Sequence, residues 1–150
     1  MMGTCDVCSD AVFNSYHKVN IFVGILKSCL TMIDKTQMQE IAAGWIKAWN
    51  SGDFRMLLDH YADDVVFYSS AAARRWNAEG GKLVGKTAIE SHFRKAFEEV
   101  PDMNLTFKKL LMGTDGVLLV YQRETGRMSA DFVLFNESGK VKEVRVFNEL

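Results

Sequence analysis

The chain has 150 residues, a single proline and nearly balanced charge, 18 Lys and Arg against 19 Asp and Glu. That length suits one domain with a real core, and the mixed charge, with no basic stripe or RNA-type aromatic motif, argues against nucleic-acid binding. No long linker, disordered tract or internal repeat stands out.

Residues 1–35 read as an N-terminal extension, and residues 36–150 as the main domain. Cys5, Cys8 and Cys29 all lie in the extension. "CDVC" has the spacing of a zinc knuckle or a redox pair, and His17 with Cys29 would complete four ligands. No second close pair supports this, so no metal is expected, and unpaired thiols point to a reducing cytoplasm. "VNIFVGILKSCLTMI" (19–33) is shorter than the ~20 residues a spanning helix needs, and Lys27 interrupts it, so no membrane association is expected. The flanks of a signal peptide are poor. Two readings stay open here: an amphipathic helix docked on the domain or a partner, or a segment upstream of a true start at Met32 or Met38.

From Thr36 the pattern sharpens. "TQMQ" predicts a capping box with Thr36 as N-cap and Gln39 as its partner, opening a helix with Ile41, Trp45, Ala48 and Trp49 on its apolar stripe. "NSGD" ends that helix, and Asp53 caps a short second one in which Phe54, Leu57, Leu58 and Tyr61 face inward. After "ADD", "VVFYSS" (65–70) reads as a strand. Residues 71–82 read as a loop and "KLVG" as a short strand. "TAIE" (87–90) predicts a second capping box, opening a helix with Ile89, Phe93, Ala96, Phe97 and Val100 on one face, stopped by Pro101. Strands follow at about 103–112, 117–124, 128–135 and 140–148, joined by "GTDG", "TG" and "NESG". Helices followed by a meander of long strands indicate an α+β fold with helices on one sheet face.

Asp131 stands out, because an ionised carboxylate in an apolar strand is costly unless paired, neutralised or used. With Thr125-Gly126 as a two-residue hairpin loop, Val120 falls opposite Asp131. With Asn136–Gly139 as a four-residue loop, Val144 does. One face then holds Leu118, Val120, Gln122, Ser129, Asp131, Val133, Phe135, Val144 and Val146, an aliphatic setting that points Asp131 inward. The other holds Leu119, Tyr121, Arg123, Ala130, Phe132, Leu134, Glu143, Arg145 and Phe147, with the look of a subunit interface.

"WIKAWNSGD", "YADDVVF", "GKTAIESHFRKAF" and "ADFVLFNESGKVKEVRVF", in this order and spacing, resemble the SnoaL-like branch of the nuclear transport factor 2-like superfamily over about residues 36–148. The resemblance implies a cone-shaped, cystatin-like α+β barrel, in which a curved antiparallel sheet wraps three helices around a pocket and its convex face often forms dimers. The superfamily includes polyketide cyclases, a ketosteroid isomerase, dehydratases, epoxide hydrolases and non-catalytic modules. In the cyclases and the isomerase an inward aspartate sits on the penultimate strand, and Asp131 matches it. In the isomerase that aspartate is known to stay protonated and to donate to the developing oxyanion. The isomerase's base corresponds to Ser69 and its oxyanion-hole tyrosine to Trp45, so two of its three catalytic parts are missing.

The expected function is therefore acid/base chemistry by Asp131, of cyclase, isomerase or dehydratase type, on a small hydrophobic carbonyl compound, with no cofactor and in a homodimer paired through the convex sheet face. The alternative is a non-catalytic ligand-binding or dimerisation module. The expected pocket comprises Trp45, Trp49, Tyr61, Ser69, Trp76, Phe93, Phe97, Leu118, Val120, Val133, Phe135, Val144 and Val146. Asp63 and Asp64 read as turn residues, and His60 and His92 flank apolar stripes as weaker general-base candidates. Arg74, Arg75 and Trp76 sit where a loop would close the pocket mouth, as candidates for recognising an acidic or aromatic ligand. No triad, P-loop or dinucleotide motif is present.

Overall fold

The computed structural model describes residues 35–150. The expectations for the thiols, His17 and the 19–33 segment lie outside these residues. In chain order the elements are helices α1 (Lys35–Ser51) and α2 (Phe54–Leu58), strand β1 (Tyr61–Tyr68), helix α3 (Ser70–Trp76), a 3-10 turn at Glu79–Gly81, strand β2 (Lys82–Val84) and helix α4 (Lys86–Glu99). Strands β3 (Thr106–Met112), β4 (Gly116–Gln122), β5 (Met128–Phe135) and β6 (Val141–Asn148) complete the fold. Among the described residues no helix is long and apolar enough to cross a membrane.

Six strands form one sheet in the order β2-β1-β6-β5-β4-β3. The sheet is mixed, not purely antiparallel as expected, because β1 runs parallel to β6 while the other pairs are antiparallel. The reason is topological: between β1 and the meander the chain passes through two helices, a crossover that a parallel neighbour requires. Helices α1 and α4 cover one face with the residues their periodicity singles out. Trp45, Ala48 and Trp49 from α1 and Ile89, Phe93 and Ala96 from α4 are buried against Val65, Phe67, Leu119, Val133 and Val144 of the strands.

Local signals held at some positions and failed at others. Asp53 caps α2, accepting from the Met56 amide at 2.9 Å. The two capping boxes do not form as read. Helix α1 already includes Lys35, which puts Thr36 inside it. Helix α4 begins at Lys86 after Gly85, a residue at φ 85° without a side-chain cap, and Thr87 lies within the first turn. Strand β1 starts four residues earlier than expected and takes in Asp63 and Asp64, both exposed at the irregularity between Tyr61 and Val66.

The expected 71–82 loop is largely helical. Ser69 accepts from the Ala71 amide at 3.2 Å and caps α3, whose run of alanines favours helix. The chain returns through Gly81 at φ 68°, where a Cβ would lie 2.3 Å from the Ser69 carbonyl oxygen. Only glycine allows this approach, which the Ser69 N–H closes with a bond to the Gly81 carbonyl at 3.0 Å.

The register of the meander decides what surrounds Asp131. The β4–β5 loop holds three residues, Glu124 to Gly126, because Arg123 N–H bonds the Arg127 carbonyl and Gly126, at φ 83°, bonds back to the Arg123 carbonyl. Leu119, not Val120, therefore lies opposite Asp131, and every β4 residue swaps face. Leu118 and Val120 point away from Asp131, while Val117, Leu119 and Tyr121 share its buried face. The β5–β6 register differs from expectation by two residues, with Val146 opposite Asp131 and an irregularity at Leu134/Phe135. A two-residue slip preserves parity, so Val133, Val144 and Val146 stay with Asp131. The turn owes its shape to Asn136, whose Oδ1 accepts from the Ser138 and Lys140 amides.

Candidate functional site

Asp131 is 3% exposed and projects from β5 toward the helices. Its Oδ1 accepts a 3.1 Å hydrogen bond from the Tyr121 hydroxyl. Burial drives the Asp131 pKa from 3.8 up to about 7, with the Tyr121 bond pulling the other way. Tyr121 is itself pushed well above its ordinary value by burial and by the adjacent carboxyl. Asp131 is thus poised near neutrality while its nearest hydroxyl stays protonated.

Two hollows meet at this carboxyl. The inner one is a small apolar cavity of about 30 Å³ whose lining includes Met38, Trp45, Tyr61, Leu119, Val133 and Asp131. Its size suits a water or two. Tyr61 accepts from Trp45 Nε1 at 2.9 Å and keeps its own hydrogen for an acceptor. The outer one is an open cleft of about 980 Å³ that Asp131 shares with Trp45, Trp49, Phe67, Phe93 and Tyr121. The aromatic wall is continuous: Trp49 stacks on Phe97 at 5.1 Å, meets Phe93 edge-on at 4.8 Å and lies 5.8 Å from Trp45.

The residues singled out from the sequence divide cleanly. Trp45, Tyr61, Val133, Phe135 and Val144 border the inner cavity. Trp45, Trp49, Ser69, Phe93 and Val146 border the cleft. Phe97 stands behind Trp49 and packs on Phe54. Trp76 is 46% exposed and borders neither hollow. Leu118 and Val120 are on the other side of the sheet and leave the pocket.

His60, a weaker candidate in the sequence, borders the inner cavity with Asp131, and three further polar residues of the site, Tyr121, His92 and Arg75, carry little signal in the sequence. Tyr121 shares the face of Asp131 because the β4–β5 loop is one residue longer than the two-residue turn expected at "TG". His92 is buried at 4% exposure, with its ring 5.5 Å from Phe67. Arg75, at the end of α3, reaches His92 and is held by Glu99. Among the described residues no group of three or more His, Cys, Asp or Glu side chains is placed to hold a metal ion.

The SnoaL-like domain family matches residues 42–147, which spans the fold from α1 to β6. The chain belongs to the SnoaL-like family. A SnoaL-like protein of unknown function from Burkholderia thailandensis is 26% identical, superposes with a TM-score of 0.75, and is matched over 79% of this chain and 98% of that one. IdmH of Streptomyces antibioticus, a proposed polyketide cyclase, is 20% identical with a TM-score of 0.62, over 75% and 92%. A proposed ketosteroid isomerase from Kribbella flavida is 18% identical with a TM-score of 0.62, over 80% and 83%. At these identities the last two share the fold, which is the cystatin-like, nuclear transport factor 2-like α+β architecture. No protein of curated function matches the chain.

Proposed function

We propose that this SnoaL-like protein is an acid/base enzyme of the cyclase or isomerase kind, working without a cofactor on a small hydrophobic carbonyl compound. The observation that carries the reading is Asp131: a carboxyl 3% exposed, at the junction of an apolar cavity and an aromatic cleft, with a pKa near 7. A group half-protonated at neutral pH both takes and returns protons efficiently. The ionised form would remove a proton from the carbon next to a carbonyl, with Tyr121 holding Oδ1. The acid so formed would return the proton to the rearranged product. Names given to similar folds, a proposed polyketide cyclase and a proposed ketosteroid isomerase, agree with this class of chemistry.

The test is exchange of α-protons with solvent deuterium. A panel of β-diketones and cyclic ketones in D2O, followed by proton NMR, should show exchange above the buffer rate that Asp131→Asn abolishes. Exchange that survives in that variant would sink the role of Asp131.

A second reading, ligand binding without turnover, has its own support. The two positions where the isomerase carries its other catalytic groups have local partners here: Ser69 caps α3 and the Trp45 indole is bonded to Tyr61. Under it, ligands of the same panel would bind the wild-type protein with no exchange.

The same proposal assigns the outer sheet face to a second copy of the chain. Leu118, Val120, Phe132 and Leu134 are only half-buried there, beside Glu143 and Arg145.

A further inference from the structure

His92 makes two contacts that cannot both be hydrogen bonds to it. The Trp76 indole lies 3.1 Å from Nδ1, and Arg75 Nη1 lies 3.4 Å from Nε2. An indole and a guanidinium can only donate, and a neutral imidazole has a single acceptor nitrogen. Burial, then the Arg75 charge, lowers the His92 pKa to about 4, so the ring is neutral at pH 7. The shorter Trp76 contact takes Nδ1 as acceptor, which puts the hydrogen on Nε2. Nε2–H and Arg75 Nη1–H are then two donors brought together with no acceptor between them.

Arg75 is fixed for this arrangement. Its Nε and Nη2 both bind Oε2 of Glu99, at 2.8 and 2.6 Å, which immobilises the guanidinium and leaves Nη1 facing His92. The side chain is only 15% exposed. His92 and Arg75 both line the aromatic cleft that contains Asp131. Arg74 and Arg127 also line that cleft. Two buried atoms of this lining have no hydrogen-bond partner among the described residues, the donor Trp49 Nε1 and the acceptor Glu124 Oε2.

We propose that Arg75 Nη1 and His92 Nε2 form a subsite for an anionic oxygen of the bound molecule, a carboxylate or an ionised enol or phenol, elsewhere in the cleft that Asp131 lines. The oxygen accepts from both donors and relieves their mutual repulsion. This rests on the cleft being a ligand site, as proposed above, and not on Asp131 being catalytic. It narrows the substrate class to hydrophobic carbonyl compounds that also carry an acidic oxygen.

The test compares 2-naphthoate with 2-naphthamide, two probes of one shape that suit the aromatic wall and differ in charge. Calorimetric titration of the wild-type protein at pH 7 should show the carboxylate binding about tenfold or more tighter. Arg75→Gln should bring the two within about threefold of each other, with circular dichroism confirming that the variant is folded. Asp131→Asn should keep the preference. Nitrogen-15 spectra give a second readout: the His92 Nε2 signal should move with naphthoate and stay with naphthamide. Equal affinities in the wild type, a preference that survives Arg75→Gln, or an unmoved His92 signal would overturn the subsite and leave the cleft standing. Binding of neither probe would count against the cleft as a ligand site, and the subsite would fall with it.

Discussion

The Tyr121 hydroxyl donates to Asp131 Oδ1 across the β4–β5 ladder, 3.1 Å away, from a position diagonal to it in the register. This bond supplies one partner to a carboxyl that is otherwise set in an apolar layer. It lowers the Asp131 pKa, yet burial outweighs it and the value stands at about 7. One neutral hydroxyl does not repay the desolvation of a charge.

That imbalance has a consequence for stability. The folded state holds the Asp131 proton up to about pH 7, whereas an unfolded chain releases it near 3.8. Between these values Asp131 holds more protons in the folded state, so its contribution to stability falls as pH rises through the window and is lost above pH 7, while His92, whose pKa is lowered to about 4, acts in the opposite sense and cancels between wild type and variant. The gap corresponds to on the order of 4 kcal/mol. The nearby Tyr61 and Tyr121 hydroxyls have raised pKa values and stay neutral throughout. Urea unfolding of the wild type and Asp131→Asn from pH 4 to 8 should therefore show the asparagine variant gaining relative stability as pH rises. Parallel pH profiles would contradict the buried, protonated carboxyl.

Removing the hydroxyl should push Asp131 further. Tyr121→Phe removes the hydrogen bond that lowers the Asp131 pKa, so the carboxyl should titrate above the wild-type value, read from the carbon-13 shift of labelled aspartate. By linkage the substitution should cost more at pH 8, where the lost bond was to a carboxylate and worth about 1.5–3 kcal/mol, than at pH 5, where about 1 kcal/mol is expected. A pKa that stays or drops would show that Tyr121 does not stabilise the charge.

How much of this was legible in the sequence depended on which signals were local and redundant. The helix stripes through Trp45 and Trp49 and through Ile89 and Phe93 are long and periodic, and they packed as read. Strand parity survived only in part. Gly126 adopts the left-handed conformation of a three-residue loop, and a dipeptide "TG" does not distinguish that from a two-residue turn. The single step sent Tyr121 to the wrong face and hid the residue that touches Asp131. Asp131 itself was placed inward because its β5 and β6 neighbours Val133, Val144 and Val146 are all aliphatic, a pattern that a two-residue slip leaves intact. Helix α3 has a readable start, Ser69 capping the run Ser70 to Ala73, which the reading of residues 71–82 as a loop passes over. With α3 read as a loop, Arg75 had no fixed position, and its approach to His92, 17 residues away, is a tertiary contact that no local pattern encodes.

The outer sheet face provides a test of assembly. Phe132 lies opposite Leu118 and Arg145 on this face, away from Asp131. Under the proposed dimer, Phe132→Glu should convert the protein to a monomer in sedimentation velocity. Neighbouring Glu143 would add like-charge repulsion to the lost apolar contact. The cleft lies on the other side of the sheet, so the naphthoate preference should persist. A wild-type protein that sediments as a monomer would remove this face from consideration as a self-interface.

The contrast between two glycines tests how α3 is held against the sheet. Gly81 and Gly139 both have positive φ, 68° and 76°, so alanine is strained at either position. Backbone strain alone costs about 1–2 kcal/mol. At Gly139 a Cβ would meet nothing within 4 Å, so Gly139→Ala should cost no more than that. At Gly81 the Cβ would lie 2.3 Å from the Ser69 carbonyl oxygen, a backbone atom that moves only if the Ser69–Gly81 link opens. Gly81→Ala should therefore cost about 3 kcal/mol or more in urea unfolding. It should also release Ser69 as the cap of α3 and loosen Arg75, which that helix carries to His92. A folded Gly81→Ala protein should accordingly lose the preference for naphthoate over naphthamide, while Gly139→Ala keeps it. Equal stability costs in the two variants would show that the close approach of Gly81 to Ser69 does not hold α3 in place.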